Sequence, residues 1–117
     1  MKVVFKIWFD HNGKAFGEGP RELLNRVEQT DSLHQAAHQM NMSYSKAWKL
    51  IQTMEKRLGF TFLDRKVGGL SGGGSRVTPE GKEFLRRYER FESDAKKVIE
   101  KTYQKHFENR STERGAY

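Results

Sequence analysis

Between Ser32 and Gly59 the chain reads SLHQAAHQMNMSYSKAWKLIQTMEKRLG, a stretch that leaves little choice of local architecture. Ser32 followed three residues later by Gln35 is a capping box, which starts a helix. Leu33, Ala36, Ala37 and Met40 recur on one face of that helix. Asn41 and Met42 interrupt the pattern, and Ser43 is suited to cap the next helix. Ala47, Leu50, Ile51, Met54 and Leu58 supply its inward stripe, at helical spacing. Gly59 ends it, with Phe60 placed for the hydrophobic contact that accompanies a glycine C-cap. Two short helices joined by a tight turn, with paired alanines that admit a close neighbour, predict helix-turn-helix geometry.

The flanks extend the reading. After Gly59 comes TFLDRKV, then a segment with five glycines between Gly68 and Ser75, then SRVT. Two strand-like pieces around a glycine stretch predict a β-hairpin, and a hairpin directly after a helix-turn-helix is a wing. A flexible solvent loop remains the alternative for the glycines. A phosphate-binding loop does not fit: Gly69 and Gly74 have the required spacing, but Ser75 stands where lysine is needed and a strand follows. Thr78 and Pro79 cap and begin a long final helix. Along it Phe84, Tyr88, Phe91, Ala95, Val98 and Thr102 repeat at spacings of four and three, a seam suited to helix pairing. Upstream, Val3, Phe5, Ile7 and Phe9 alternate on one face, and Asn12-Gly13 is a strong hairpin signal. Gly19-Pro20 then opens a helix carrying Leu23, Leu24 and Val27.

The expected organisation is a single domain over 1–117. It comprises a β-hairpin at 3–16, helices across 20–59, a wing at 61–78, a pairing helix at 79–107 and a polar tail at 108–117. The fold class is mainly α with small β-hairpins. A chain of 117 residues is large enough for a modest core. It has no cysteine, so disulfides and thiolate metal sites are excluded. No apolar run is long enough to span a membrane, and Lys6 and Asp10 interrupt any signal-peptide core. The expected location is cytoplasmic.

Charge narrows the function classes. Lys plus Arg total 22 against 15 acidic residues, a formal charge of +7. Between Ser43 and Arg90 lie eleven basic and five acidic residues, so nearly all the excess sits mid-chain. A concentrated basic surface suits a polyanion; solubility is the plainer explanation.

The stretch AAHQMNMSYSKAWKLIQTMEKRLGFTFLDRKVGGLSGGGSRVTPEGKEFL resembles the N-terminal DNA-binding domain of ModE-type molybdate-responsive regulators, and more distantly the LysR-type winged helix. The landmarks are Ala36-Ala37, MSYSKAW, Leu58-Gly59, Arg65 after FL, the glycine-rich wing, and Val77-Thr78-Pro79 with Gly81. FGEGPRELL is similar to that family's first helix. The resemblance implies a sequence-specific double-stranded DNA-binding transcription regulator acting as a homodimer, linked to molybdenum-related genes. ModE-type regulators also carry C-terminal molybdate-binding β-barrels, and the given sequence stops soon after the long helix. No cofactor and no small-molecule effector is therefore expected within it.

Residue by residue, Ser43, Tyr44, Ser45, Lys46 and Lys49 lie at or near the start of the recognition helix, the part that meets base edges in a major groove. Lys66 and Arg76 flank the wing, where cations reach phosphates or the minor groove, and Arg65 is a further expected DNA-binding residue. Trp48 fits either core or groove edge. Dimerisation is expected through Phe84, Tyr88, Phe91, Ala95, Val98 and Thr102. His34 and His38 have the i, i+4 spacing of a zinc pair, but no third ligand accompanies them and no metal is expected. No nucleophile, base and orienting group recur in a catalytic pattern, so an enzyme is not expected. A protein-interaction module docking a partner through the long helix is the alternative.

Overall fold

Helix positions follow from caps and apolar stripes, and the strands fill the gaps between them. The structure, a computed structural model, describes residues 1–66 and 74–108. In chain order it contains β1 (Phe9–Asp10), β2 (Lys14–Phe16), α1 (Glu18–Thr30), α2 (Leu33–Gln39), α3 (Tyr44–Leu58), β3 (Leu63–Lys66), β4 (Gly74–Val77) and α4 (Pro79–Tyr103), then a π-helical turn, Gln104–Glu108. The architecture is mainly α, with two antiparallel hairpins, β1–β2 and β3–β4. It is a winged helix-turn-helix with a long C-terminal helix.

The caps are those the sequence asks for. Ser32 Oγ accepts from the amide of Gln35 at 3.0 Å, and Ser43 Oγ accepts from that of Lys46 at 3.1 Å. Gly59 takes the left-handed conformation, φ 85°, and its amide closes α3 on the Glu55 carbonyl. Helix α1 begins at Glu18, two residues before Pro20, whose missing N–H is harmless in a first turn. It ends at Asp31, also left-handed at φ 55°.

Two compact units divide the chain: Lys6–Arg86, and Met1–Phe5 with Arg87–Tyr117. In the first, Leu23, Leu24 and Val27 of α1, Leu33, Ala36 and Ala37 of α2, and Ala47, Ile51 and Met54 of α3 are buried. A second focus is aromatic. Phe16 stacks on Phe62 at 5.8 Å and meets Phe84 edge-on at 4.9 Å, while Phe60 and Phe9 pack around them. Such pairs add about 0.5–1.5 kcal/mol beyond their burial.

The N-terminal hairpin is shorter than its sequence suggests. Val3, Phe5, Ile7 and Phe9 are half-buried and their even-numbered neighbours exposed, so the period of two persists. Only Phe9–Asp10 is paired, because β2 gives way to α1 after three residues. Asn12 (φ 60°) and Gly13 (φ 117°) make the turn, and the Arg57 guanidinium lies against Gly13 while donating to the Lys14 carbonyl.

Hairpin β3–β4 is tied at its root. The Glu55 carboxylate accepts from the amides of Phe62 and Leu63, at 2.7 and 3.2 Å. The Thr78 amide donates to the Phe62 carbonyl at 2.9 Å, and the Thr78 hydroxyl donates to the Thr61 carbonyl at 2.6 Å while accepting from the Gly81 amide at 2.9 Å. Gly81 is buried here, and a Cβ on it would stand 3.0 Å from Thr78 Oγ1 and 3.1 Å from the Phe62 carbonyl. Thr78 is itself buried. Thr78→Val keeps the shape and strands the buried Gly81 amide, besides removing the donor to the Thr61 carbonyl, so it should cost about 1–3 kcal/mol. Urea unfolding should show a lower midpoint at unchanged slope.

Candidate nucleic-acid interface

Helix α3 presents its first turns to solvent. Tyr44, Ser45, Lys46 and Lys49 are exposed, and Ser43 is exposed with its hydroxyl oxygen engaged as the cap. Ala47 and Ile51, on the opposite side, are fully buried against the domain. A helix held by one face leaves the exposed side chains of its first turns free to meet an anion or a base edge.

The hairpin adds a second element with two distinct faces. In its register Leu63 lies opposite Val77, Asp64 opposite Arg76, Arg65 opposite Ser75 and Lys66 opposite Gly74. Leu63, Val77 and Ser75 are buried, so Arg65 shares their face, whereas Arg76 lies exposed on the other beside Asp64. Arg65 and Arg76 are both among the residues expected from the sequence to bind DNA; the pleat places them on different faces. The side chain of Lys66 and the wing tip, residues 67–73, lie outside the described residues, as does the tail from 109 onward.

Arg65 does not project freely. Its guanidinium donates to the Tyr44 hydroxyl at 2.9 Å and lies over the Trp48 ring, 4.1 Å from the centroid. On the other side of Tyr44 the His34 ring stacks at 5.5 Å, inclined by 27°. The ambiguity at Trp48 is resolved: it is a half-buried platform for Arg65. Tyr44 and Trp48 are an i, i+4 pair readable in sequence, but nothing local connects them to Arg65 or His34. Among the described residues no group of three or more metal-ligating side chains is placed to hold an ion.

Strand β4 seats on the helical body through a close backbone approach. The Ser75 amide donates to the Asp31 carbonyl at 3.0 Å, and a Cβ on Gly74 would come within 2.7 Å of that oxygen. Neither Asp31 nor Gly74 is signalled by a motif; the contact exists because Asp31 ends α1 with its carbonyl turned outward.

On α4 the expected pairing residues separate into groups. Phe84 belongs to the aromatic cluster of the Lys6–Arg86 unit. Tyr88 is buried and Ala95 half-buried. Phe91 and Val98 are 51% and 63% exposed, as is Phe107 beyond them at 61%. Thr102 is exposed, and its hydroxyl donates back to the Val98 carbonyl. No described helix is long and apolar enough to cross a membrane.

Comparison with known proteins matches residues 22–82 to the family of bacterial regulatory helix-turn-helix proteins of lysR type. The chain is 29% identical over 90 residues to the molybdenum-pterin-binding protein MopB of Rhodobacter capsulatus, covering 77% of this chain and 33% of that protein. It is 34% identical over 70 residues to the transcriptional regulator ModE of Haemophilus influenzae, covering 60% and 28% respectively. The chain thus spans a third or less of the length of these curated relatives. Among solved structures it resembles the CbnR DNA-binding domain in complex with DNA, with a TM-score of 0.55, 21% identity and coverage of 70% of this chain and 88% of that one. It also resembles the BenM DNA-binding domain on benA site 1 DNA, with a TM-score of 0.54, 20% identity and coverage of 75% and 93%. These structural likenesses concern the fold.

The Gly74 contact gives a direct test of how the wing is seated. Gly74→Ala should push β4 off the Asp31 carbonyl and speed amide exchange at Ser75 by about tenfold or more, the equivalent of roughly 1.4 kcal/mol. Exchange in the middle of α3 should not change.

Proposed function

The chain belongs to the lysR family of bacterial regulatory helix-turn-helix proteins, and we propose that it is a transcription regulator that binds double-stranded DNA as a homodimer. The observation that carries the proposal is the exposed start of α3, with Tyr44, Ser45, Lys46 and Lys49 beside the wing cation Arg65. In a two-fold dimer, recognition helices entering successive major grooves read half-sites about 34 Å apart. Arg76, on the outer face of the hairpin, serves flanking phosphates. The relatives named for ModE and for molybdenum-pterin binding support regulated genes of molybdenum metabolism.

Self-association is assigned to α4. Phe91 and Val98 present large apolar surfaces near one another on a helix of 25 residues. The same exposure favours a second reading, a module that docks a different protein through α4. DNA binding separates the two, because a docking module has no salt-sensitive affinity for duplex.

Two measurements test the proposal. Duplex affinity should fall steeply with salt, by about 0.9 in the logarithmic slope per phosphate neutralised. Arg76→Ala, which removes one such cation from each protomer, should flatten the slope by roughly two and weaken selected and random duplexes alike. An unchanged slope would remove Arg76 from the interface. Independently, Val98→Glu should raise the dimer dissociation constant by at least tenfold. A buried aliphatic side chain is worth about 1.5–3 kcal/mol and acts twice across a two-fold axis. Because Val98 is exposed in the single chain, its substitution should leave the circular dichroism spectrum unchanged. Sedimentation showing the same dimer affinity would exclude the α4 seam.

A further inference from the structure

Tyr44 is the first residue of α3 and, at 39% exposed, presents its hydroxyl beside solvent. That hydroxyl is not an ordinary two-way hydrogen-bonding group. Its oxygen accepts from the Arg65 guanidinium at 2.9 Å, and Arg65 is held by the Trp48 ring on its face. His34 stacks on the Tyr44 ring and limits its swing. Three elements (α2, α3 and β3) therefore fix one phenol before any ligand arrives.

The chemistry follows from which partner donates. A tyrosine hydroxyl has one proton to give and lone pairs to accept with. Accepting from a cation draws electron density from the oxygen, strengthening the O–H as a donor and weakening it as an acceptor. The same positive charge repels any further N–H donor approaching the oxygen. The phenol is thereby converted into a donor, directed at acceptors.

We infer that Tyr44, polarised by Arg65, is a specificity-determining residue that selects a hydrogen-bond acceptor on a base edge and rejects an exocyclic amino group. This deepens the DNA-binding reading above and rests on it. In the major groove the acceptors are purine N7, guanine O6 and thymine O4, and the disfavoured groups are adenine N6 and cytosine N4. A base edge rather than a phosphate is assigned because the start of a recognition helix is the part that reaches into the groove. Arg65 acts here as a positioning residue: its bond to Tyr44 sets the direction of the phenol's proton.

The test is selection of duplexes from a random pool by the wild-type chain, Tyr44→Phe and Arg65→Ala, followed by titration on the wild-type consensus. Tyr44→Phe keeps the ring and its stacking and deletes only the hydroxyl. It should cost about 5- to 150-fold on the consensus duplex, relax base preference at one position per half-site, and leave the salt slope unchanged. Arg65→Ala should relax preference at that same position, although it removes no atom of Tyr44. If wild-type binding depends on a purine at that position, replacing its N7 by carbon should weaken the wild type and leave Tyr44→Phe indifferent. Two results overturn the inference while leaving DNA binding intact. One is a Tyr44→Phe consensus and affinity identical to wild type. The other is parallel weakening on consensus and random duplex, which marks a phosphate contact. Failure of the wild-type chain to bind any duplex is a different result, which removes the proposed function and this inference with it.

Discussion

Phe62 is held in three ways at once, and the placement of the wing depends on it. Its ring lies in the aromatic cluster with Phe16, Phe60 and Phe84, its amide donates to the Glu55 carboxylate, and its carbonyl accepts from the Thr78 amide. The chain leaves α3 at a left-handed glycine and would otherwise be free to turn in several directions. A carboxylate gripping two successive amides removes that freedom, and charge-assisted bonds of this kind are about twice as strong as neutral ones. The return strand is fixed at the same place by Thr78, which also starts α4. One junction thus sets the exit from α3, the root of the hairpin and the entry to α4.

The geometry of the candidate interface follows from that junction. Arg65 lies three residues beyond Phe62, on the face of β3 that Leu63 also uses. With the root anchored and β4 seated on the Asp31 carbonyl, the pleat carries Arg65 back over α3. There it meets Trp48 and Tyr44, one helical turn apart. A shift of one residue in the hairpin register would exchange the roles of Arg65 and its neighbours, turning Asp64 toward α3. The burial of Leu63 opposite Val77 opposes such a slip, because turning Asp64 inward would bring Leu63 into water.

Different forces therefore govern different parts of the molecule. Apolar burial sets the three-helix body, where Leu23, Leu24, Ala36, Ala37, Ala47 and Ile51 have no exposed surface. Polar bonds to backbone groups set the hairpin. Cation–ring and hydroxyl contacts set the exposed side chains at the interface. Along α4 the apolar side chains of Phe91 and Val98 remain at the surface, where a partner of matching shape would gain most from covering them.

The elements governed by local rules were legible in the sequence. Ser32, Ser43 and Thr78 were recognisable as caps, Gly59 as a terminator and Asn12-Gly13 as a turn, because each acts within four residues of itself. The helix-turn-helix and the hairpin after it followed from their order, and the exposed polar start of α3 from its periodicity. Legibility stopped where partners are distant in the chain. Phe84 has the spacing of a pairing seam, yet its ring completes a cluster with residues from three other segments. Val3–Ile7 have the alternation of a strand, but β2 is too short to pair with them. Arg65 and Arg76 look alike in sequence, and only the pleat places them on opposite faces. Local hydrogen bonds and side-chain periodicity act over one or two turns, so sequence alone determines which elements form and which faces are apolar. Which cation meets which aromatic ring depends on hairpin register and on the direction of a strand leaving Gly59, and those are decided only when Glu55, Thr78 and the Asp31 carbonyl come together in three dimensions.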